Sequence, residues 1–302
     1  MSATHTYTYT SEQVTSAFND ISTTLFAGIT AQLTPTILVT AGVQSSGKTY
    51  LLEKQLLPSG LYKNYVRLYL PEYREKHPQY QEMIKLGTLH AYEHTNDFIR
   101  DLSRKIFERA FEQKLNIIFE CAFDSIEFAT LPDYMANAGY RLEVHIVACN
   151  YPFAFISGVQ RGFKSLEKGE LERFVRPSEL KSSFGNAHAV IYALDAAAKR
   201  VGGSQVFLYE RGFGAMRERV VRAHSLYARD MQNKLSVTST STPFSYSAYE
   251  RIIGKSLNSD SERHEVIKES HLALHKAAQY AMQVPDFLFD ALYARIAKYV
   301  QR

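Results

Sequence analysis

Residues 36–49 contain the pattern that most restricts how this chain can fold. A β-rich apolar run, Thr36–Thr40, leads into Gly-Val-Gln-Ser-Ser-Gly-Lys-Thr at positions 42–49, and a helix is predicted from about Gly47 to Leu57. The eight residues match the phosphate-binding loop G-x-x-x-x-G-K-[ST] in full, between the strand and the helix that such a loop requires. Chance alone would give the four fixed positions in about 1% of chains of this length. The chain is therefore predicted to bind a nucleotide.

Each position of this loop has a predicted task. Gly42 and Gly47 permit backbone angles and close approaches that a side chain would prevent. Successive amide N–H groups would surround phosphate oxygens, next to the positive N-terminal end of the following helix. Lys48 would reach the β- and γ-phosphates, and the Thr49 hydroxyl would coordinate Mg²⁺. The predicted nucleotide-binding residues of the loop are Gly42, Ser45, Ser46, Gly47, Lys48 and Thr49.

Short apolar runs alternate with longer amphipathic stretches along most of the chain. Strands are predicted at 36–40, 65–70, 116–119, 142–148 and 206–209. Helices are predicted at 11–33, 47–57, 92–114, 125–138, 153–168 and 178–201. This alternation favours a parallel sheet with helices on both faces and right-handed crossovers. The predicted fold class is α/β, with a parallel sheet of about five strands.

The C-terminal part of the chain has a different pattern. Residues 236–247 are rich in Ser and Thr and are predicted to form a linker or an exposed loop. Helices are expected to follow, including 260–283 and 286–300. We therefore expect a phosphate-binding domain over 1–235 and a C-terminal helical appendage over 248–302 that packs on the core.

Composition limits the compartment and the partners. With 45% hydrophobic residues the chain can bury a substantial core, but no run of eighteen apolar residues predicts a membrane span. The net charge of +4, without a basic stripe, disfavours nucleic acid as the main partner. Cys121 and Cys149 each end an apolar run, which favours two buried thiols in a reducing cytosol. A cytoplasmic protein is expected.

Several later segments resemble the zeta-toxin kinases. The stretch Tyr-Arg-Glu-Lys-His-Pro-Gln-Tyr at 73–80 is similar to the family's Phe-Arg-x-x-His-Pro-x-Tyr, at a similar distance from the loop. Similar segments follow in the same order at 95–98, 115–120, 137–140, 161, 173–177 and 208–211. The resemblance covers roughly residues 15–225 and implies a P-loop kinase fold.

The resemblance also implies an activity. Zeta-toxin kinases bind ATP or GTP and phosphorylate the sugar of UDP-N-acetylglucosamine, and a partner antitoxin restrains them. A plant-pathogen effector of similar fold phosphorylates NAD instead. The chain is thus expected to phosphorylate a sugar nucleotide, NAD or another nucleotide, as a toxin or as an effector delivered into a host cell. The alternatives are a catalytically inactive nucleotide-binding protein that acts through a protein partner, or an NTPase switch.

The chain departs from the family where its acids act. The family's Asp-x-Asp, whose second Asp is the catalytic base, is replaced by Tyr69 and Pro71, so Glu72 is the nearest acid. Asp124 replaces the family's substrate-binding arginine. Glu72 and Asp124 are therefore the candidate bases. The competing interpretations are a solvated loop acid for Glu72 and an N-cap of the predicted helix 125–138 for Asp124. These departures favour an acceptor other than the family's usual one.

The remaining candidates are basic residues and one strand acid. Arg161 and either Arg173 or Arg176 are expected to hold the γ-phosphate, unless they are surface arginines. Glu120 ends an apolar strand and is expected near Mg²⁺ or the substrate. The predicted catalytic residues are Lys48, Glu72, Asp124, Arg161 and Arg173. Arg176 and Arg211 are further nucleotide-binding candidates, and the substrate candidates are Arg74, His77, Glu120 and Asp124.

Overall fold

The structure is a computed structural model that describes residues 7–170, 174–213, 217–240, 242–255, 257 and 260–300. The strands in these residues are β1 (Thr36–Ala41), β2 (Tyr65–Arg67), β3 (Asn116–Cys121), β4 (Arg141–Ala148), β5 (Gln205–Glu210), β6 (Val220–Arg229) and β7 (Leu235–Thr238). The α-helices are α1 (Ser11–Leu25), α2 (Lys48–Leu51), α3 (Tyr80–Lys85), α4 (Thr88–His94), α5 (Asn96–Glu112), α6 (Leu131–Asn137), α7 (Tyr151–Lys168), α8 (Pro177–Arg200), α9 (Tyr246–Ile253), α10 (Asp260–Gln279) and α11 (Asp286–Val300).

The strands form a sheet in the order β2-β3-β1-β4-β5-β6-β7. Strand β2 runs parallel to β3, and β4 runs parallel to both β1 and β5. Strands β6 and β7 are added antiparallel at one edge. The predicted α/β fold with five parallel strands and C-terminal helices is confirmed, and the sequence reading missed the two antiparallel strands.

Strand β7 corrects part of the predicted linker. Residues 236–238 of the segment 236–247 pair with β6, so that Leu226 lies opposite Thr238 and Ala228 opposite Ser236. The prediction treats Ser and Thr as loop residues, but β-branched Thr and Val also suit an exposed edge strand. The rest of the proposed division into domains stays a prediction.

The central strands are buried as a covered parallel sheet requires. Ile37, Leu38 and Val39 of β1 are at most 1% exposed, and Val144 and Ile146 of β4 are fully buried. Such continuous apolar runs are typical of strands with helices on both faces.

The two cysteines lie at the ends of the two strands that flank β1. Cys121 ends β3, and Cys149 directly follows β4. Both are buried free thiols, as predicted, and burial raises the pKa of each to about 12.

Three helix boundaries differ from the prediction. Helix α1 ends at Leu25 because the chain turns through Gly28, whose φ of 72° is left-handed. The predicted helix 92–114 is divided into α4 and α5 at Thr95. The predicted helix 125–138 begins as a 3₁₀ turn, Ile126–Ala129, before α6. No helix of the described residues is long and apolar enough to cross a bilayer.

The chain divides into two compact units. The first contains the described residues of Met1–Pro35, Lys63–Phe119 and Lys164–Arg173. Within it, α5 buries Phe98, Leu102 and Ile106 completely. Thr10 caps α1 by accepting a hydrogen bond from the backbone N–H of Gln13, and the Gln13 side chain accepts one in return.

The second unit contains the described residues of Thr36–Tyr62, Glu120–Phe163 and Phe174–Arg302. It holds the phosphate-binding loop and the C-terminal helices. Within it, the guanidinium of Arg295 on α11 lies 4.3 Å from the ring centre of Phe155 on α7. Gln160 of α7 donates a 2.5 Å hydrogen bond to Glu269 of α10. The C-terminal helices therefore pack on α7 in this unit.

Candidate nucleotide-binding site

The phosphate-binding loop connects β1 to α2 through three residues with positive φ. Gly42, Ser45 and Gly47 have φ of 156°, 63° and 97°. A Cβ atom on Gly42 would lie 2.5 Å from the Ser46 hydroxyl and 2.6 Å from the carbonyl oxygen of Val147. Glycine at position 42 is thus required by close packing on β4 as well as by backbone angle.

The loop holds polar atoms that have no partner within the described residues. These are the side-chain Oε1 of Gln44 and the hydroxyl of Ser46, both buried. Because buried polar atoms are nearly always hydrogen-bonded, such atoms at a loop of this shape fit a site that receives a polar ligand.

Helix α7 passes directly beside the loop. A Cβ atom on Gly158 would lie 2.8 Å from the Ser45 hydroxyl oxygen, so the helix backbone and the loop are in contact. One turn later, a Cβ atom on Gly162 would lie 2.6 Å from the ring of Phe174. The two glycines let α7 approach Ser45 and Phe174 more closely than any other residue would allow.

Thr49 and Glu120 meet at the start of α2. The Thr49 hydroxyl donates a 2.8 Å hydrogen bond to Oε2 of Glu120. The backbone at the end of β3 is also tied to the loop, because the Gly42 N–H donates to the Cys121 carbonyl oxygen at 3.1 Å. A hydroxyl and a carboxylate at this position are oxygen ligands of the type that Mg²⁺ prefers.

Lys48 lies among three charged residues that were predicted from the sequence. Burial of the ammonium lowers the pKa of Lys48, whereas the negative charges of Glu120 and Asp124 raise it and the positive charge of Arg161 lowers it. The fold therefore brings these three side chains, which lie at the end of β3, just after it and on α7, within electrostatic reach of Lys48.

Asp124 follows a residue with an unusual backbone conformation. Phe123 is fully buried and has φ of 60°, which is rare for an aromatic residue. Its carbonyl oxygen accepts a 3.1 Å hydrogen bond from the side chain of Asn186 on α8. Asp124 itself is exposed. The alternative interpretation of Asp124 as a helix N-cap is wrong, because the neighbouring Ser125 hydroxyl accepts the N–H of Glu127 instead.

Two arginines hold the end of the loop. Nη1 of Arg211 donates to the Ser46 carbonyl oxygen at 3.1 Å, and Nη2 of Arg219 donates to the Gly47 carbonyl oxygen at 3.2 Å. Arg211 was predicted to bind nucleotide, whereas Arg219 was missed. It directly precedes the antiparallel strand β6, and the only signal in the sequence is a basic residue eight positions after Arg211.

Arg74 and His77 lie in the first unit. Arg74 is 4% exposed, and its Nη1 donates to the Tyr92 carbonyl oxygen, the Thr95 hydroxyl and Asn96 Oδ1. Its Nε donates to the Tyr69 hydroxyl at 3.1 Å. His77 is buried against the ring of Phe98, and burial lowers its pKa. Both residues hold this unit together, and their contact with a substrate stays a prediction.

Glu72, Arg161 and Arg176 are exposed. Glu72 is exposed in the 3₁₀ turn Pro71–Lys76 of the first unit. Arg161 is exposed on α7, and the guanidinium of Arg176 lies 5.4 Å from the ring centre of Phe287. Arg173 lies outside the described residues.

Solved structures from a toxin–antitoxin system and of a two-protein complex have a similar fold. One belongs to the PezAT chromosomal toxin–antitoxin system of Streptococcus pneumoniae, with 14% identity, a TM-score of 0.60, and coverage of 92% of this chain and 100% of that one. Another is the AvrRxo1-ORF1:-ORF2 complex with ATP, with 16% identity, a TM-score of 0.53, and coverage of 94% and 86%. At these identities they show the fold alone. No curated protein matches the chain.

A protein-family comparison reaches further than these structures. The model described as "Zeta toxin" matches residues 22–234, which is more than two thirds of the chain. The match includes the phosphate-binding loop, Glu120, Asp124 and Arg211. The chain belongs to the zeta-toxin family of P-loop kinases.

Proposed function

We propose that this protein is a toxin-like kinase that transfers the γ-phosphoryl group of ATP or GTP to a hydroxyl group of a small metabolite. The observation that carries the proposal is the hydrogen bond between Thr49 and Glu120 beside Lys48, at the end of a complete phosphate-binding loop. A protein that only bound phosphate would have no need of an acid next to the Thr49 hydroxyl.

The loop would hold the donor through its backbone. Amide groups from Gly42 to Thr49, at the start of α2, would face the phosphates, and Lys48 would add a positive charge. Glu120 and Asp124 raise the pKa of Lys48 and so help to keep its amine protonated. Thr49 and Glu120 would hold Mg²⁺, which when bound neutralises charge on the phosphate oxygens.

The transfer step needs a proton acceptor and a positive charge. Asp124 is exposed and within electrostatic reach of Lys48, so we assign it the proton of the attacking hydroxyl, with Glu72 as the alternative. Arg161 also acts on Lys48 electrostatically, and we assign it to the charge that develops on the γ-phosphate. Arg173 and Arg176 remain candidates for the same task.

The acceptor and the partner follow from the family and its structural relatives. A UDP-sugar is the first candidate acceptor, and NAD or another nucleotide is the alternative. The alternative is favoured because Asp124 puts a negative charge where the family has its substrate-binding arginine. The AvrRxo1 complex was solved with ATP, which supports ATP as the donor. The PezAT system pairs a toxin with an antitoxin, which supports an antitoxin-like protein as the partner of this chain.

A transfer assay tests the proposal. The purified protein is incubated with Mg²⁺, γ-labelled ATP and a panel of UDP-sugars, NAD and nucleotides, beside a Lys48→Ala variant. Lys54→Ala is a matched control, because Lys54 is exposed on the next turn of the chain. Label should move onto one metabolite with the wild type and the control, and not with Lys48→Ala.

The same assay separates the competing function. Binding of ATP without transfer to any acceptor would support a nucleotide-binding protein that acts through a partner. The observation in favour of that function is Pro71, which stands where the family has its catalytic aspartate. Absence of ATP and GTP binding in the presence of Mg²⁺ would exclude both functions.

A further inference from the structure

Two guanidinium groups meet over one backbone position. A Cβ atom on Gly47 would collide with Nη1 of Arg211 and with Nη2 of Arg219. Each group donates to a loop carbonyl oxygen, but neither buried Nε atom has a hydrogen-bond partner within the described residues. Two like charges are thus held together at the start of α2 with donors left over, which is an arrangement that an anionic ligand would relieve.

The electrostatics of this pair agree with that geometry. Burial lowers the pKa of Arg211, and burial together with the charge of Arg211 lowers the pKa of Arg219 to about 10. Arg219 stays charged at neutral pH, because its pKa lies well above 7.

Each guanidinium also lies against an aromatic ring. The Arg219 Cζ atom is 3.9 Å from the ring centre of Tyr50, and the Arg211 Cζ atom is 4.8 Å from that of Phe153. Tyr50 directly follows Thr49 on α2, and 48% of its surface is exposed. An exposed ring and a planar cation, stacked beside a phosphate-binding loop, offer flat surfaces on which a nucleobase can stack.

The sheet order indicates which part of a bound nucleotide would lie beside Arg211 and Arg219. Strand β3, which supplies Glu120, is next to β1 on one side. Strands β5 and β6, which lead to and from Arg211 and Arg219, lie on the other side of β1. In the proposed function, Glu120 and Lys48 lie beside the reacting phosphate. The nucleoside would therefore extend from the loop on the opposite side of β1, toward β5 and β6.

We propose that Tyr50 and Arg219 form the platform that binds the nucleobase of the donor nucleotide. Arg211 lies beside Arg219 over Gly47 and would face the phosphate nearest the nucleoside. The inference rests on the proposed function, and it adds a base-binding subsite that lies apart from the residues assigned to transfer.

Titration calorimetry with two ligands tests the platform. MgATP carries a base, whereas inorganic tripolyphosphate with Mg²⁺ presents the phosphates alone. Arg219→Lys keeps the charge but loses the planar group, and Tyr50→Leu keeps an apolar side chain but loses the ring. Each should weaken ATP binding roughly ten-fold, as expected for loss of one base-stacking contact. Tyr50→Leu should leave tripolyphosphate binding unchanged, and Arg219→Lys should weaken it less than it weakens ATP binding, because Arg219 also bonds to the Gly47 carbonyl oxygen. Tyr50→Phe should bind ATP like the wild type.

The controls separate this subsite from the loop itself. Lys48→Ala should weaken the binding of both ligands. Arg217→Ala should change neither, because Arg217 is exposed and pairs with Glu265 instead of the loop. Thermal unfolding of each variant verifies that it is folded.

Three results overturn the inference in distinguishable ways. Equal losses for ATP and tripolyphosphate in Arg219→Lys would place Arg219 on a phosphate. Unchanged ATP binding in both Arg219→Lys and Tyr50→Leu would remove the platform while leaving the proposed kinase intact. If the wild type binds neither ligand, the proposed function itself fails, and the inference fails with it.

Discussion

Lys48 shows how a single residue depends on distant parts of the chain. Its ammonium is buried, which disfavours its charge, and Arg161 disfavours the charge further. Glu120 and Asp124 act in the opposite direction. Added negative charge stabilises a buried cation whose charge is not fully compensated. The triphosphate of the proposed donor nucleotide would supply that charge.

Glu120 provides a sharp test at the same scale. Glu120→Gln keeps the size of the side chain and its bond to Thr49, but it removes the negative charge that would face Mg²⁺. We expect the phosphoryl-transfer rate at limiting Mg²⁺ to fall roughly 10- to 100-fold, in line with losses seen when metal-site partners are removed. Rates measured across a Mg²⁺ titration check this. Glu127→Gln, at an exposed position in the following turn, should behave like the wild type.

Replacement of Gly158 should disturb the phosphate-binding loop. Alanine would place its Cβ atom 2.8 Å from the Ser45 hydroxyl, and such overpacking costs about 1–3 kcal/mol. We expect Gly158→Ala to weaken ATP binding, measured by calorimetry.

A paired change makes that result specific. Adding Ser45→Gly removes the clashing oxygen and suits the positive φ, so the double variant should recover affinity. Gly185→Ala on α8, where a Cβ atom meets nothing within 4 Å, is the matched control. A double variant as weak as Gly158→Ala would contradict this account.

At the scale of elements, Arg74 joins the end of α4 to the start of α5. Its Nη1 atom reaches the Tyr92 carbonyl oxygen and the side chains of Thr95 and Asn96. Arg74→Lys cannot reproduce this planar arrangement, and hydrogen bonds to a charged group are each worth about 1.5–3 kcal/mol. We therefore expect a lower thermal unfolding midpoint, with Arg104→Lys as the exposed control. An unchanged midpoint with a raised KM would instead support a direct role toward the substrate.

The sequence could predict those elements whose pattern is local. The strand, loop and helix around residues 36–51 follow from one contiguous motif, and the buried parallel strands follow from apolar runs such as Ile117 and Ile118. Strands β6 and β7 could not be predicted in this way, because one face of β6 is exposed and β7 is rich in Ser and Thr.

The same limit explains the missed and misread site residues. Arg219 reaches the loop only because β6 folds back antiparallel on β5, a pairing that no local pattern shows. Asp124 and Ser125 are adjacent and both suit a helix N-cap, so composition could not separate them. The strained backbone of Phe123, which turns Asp124 outward, is equally invisible in the sequence.

At the scale of the whole molecule, acid should destabilise both units. Burial lowers the pKa of His77 in the first unit and of His224 in the second. A histidine whose pKa falls on folding binds a proton more readily in the unfolded chain, so stability is lost as pH falls below about 6.5, the ordinary histidine value. The thermal unfolding midpoint should therefore decrease between pH 7 and pH 5.

Replacing one of these histidines tests the cause. His224 stacks on Phe207 with ring centres 4.2 Å apart, so His224→Phe keeps the stack and removes the titrating group. Its unfolding midpoint should depend less steeply on pH than that of the wild type. His271→Gln, at an exposed position, should keep the wild-type slope. Identical slopes for all three proteins would show that other groups cause the acid sensitivity.

The conformation of Phe123 has a consequence for how this enzyme could diversify. The buried ring and its carbonyl bond to Asn186 fix the direction of the chain before position 124, whatever side chain stands there. Exchanging the side chain at 124 should therefore disturb little of the surrounding packing. The side chain at position 124 can therefore vary among related chains while the scaffold that positions it is inherited unaltered.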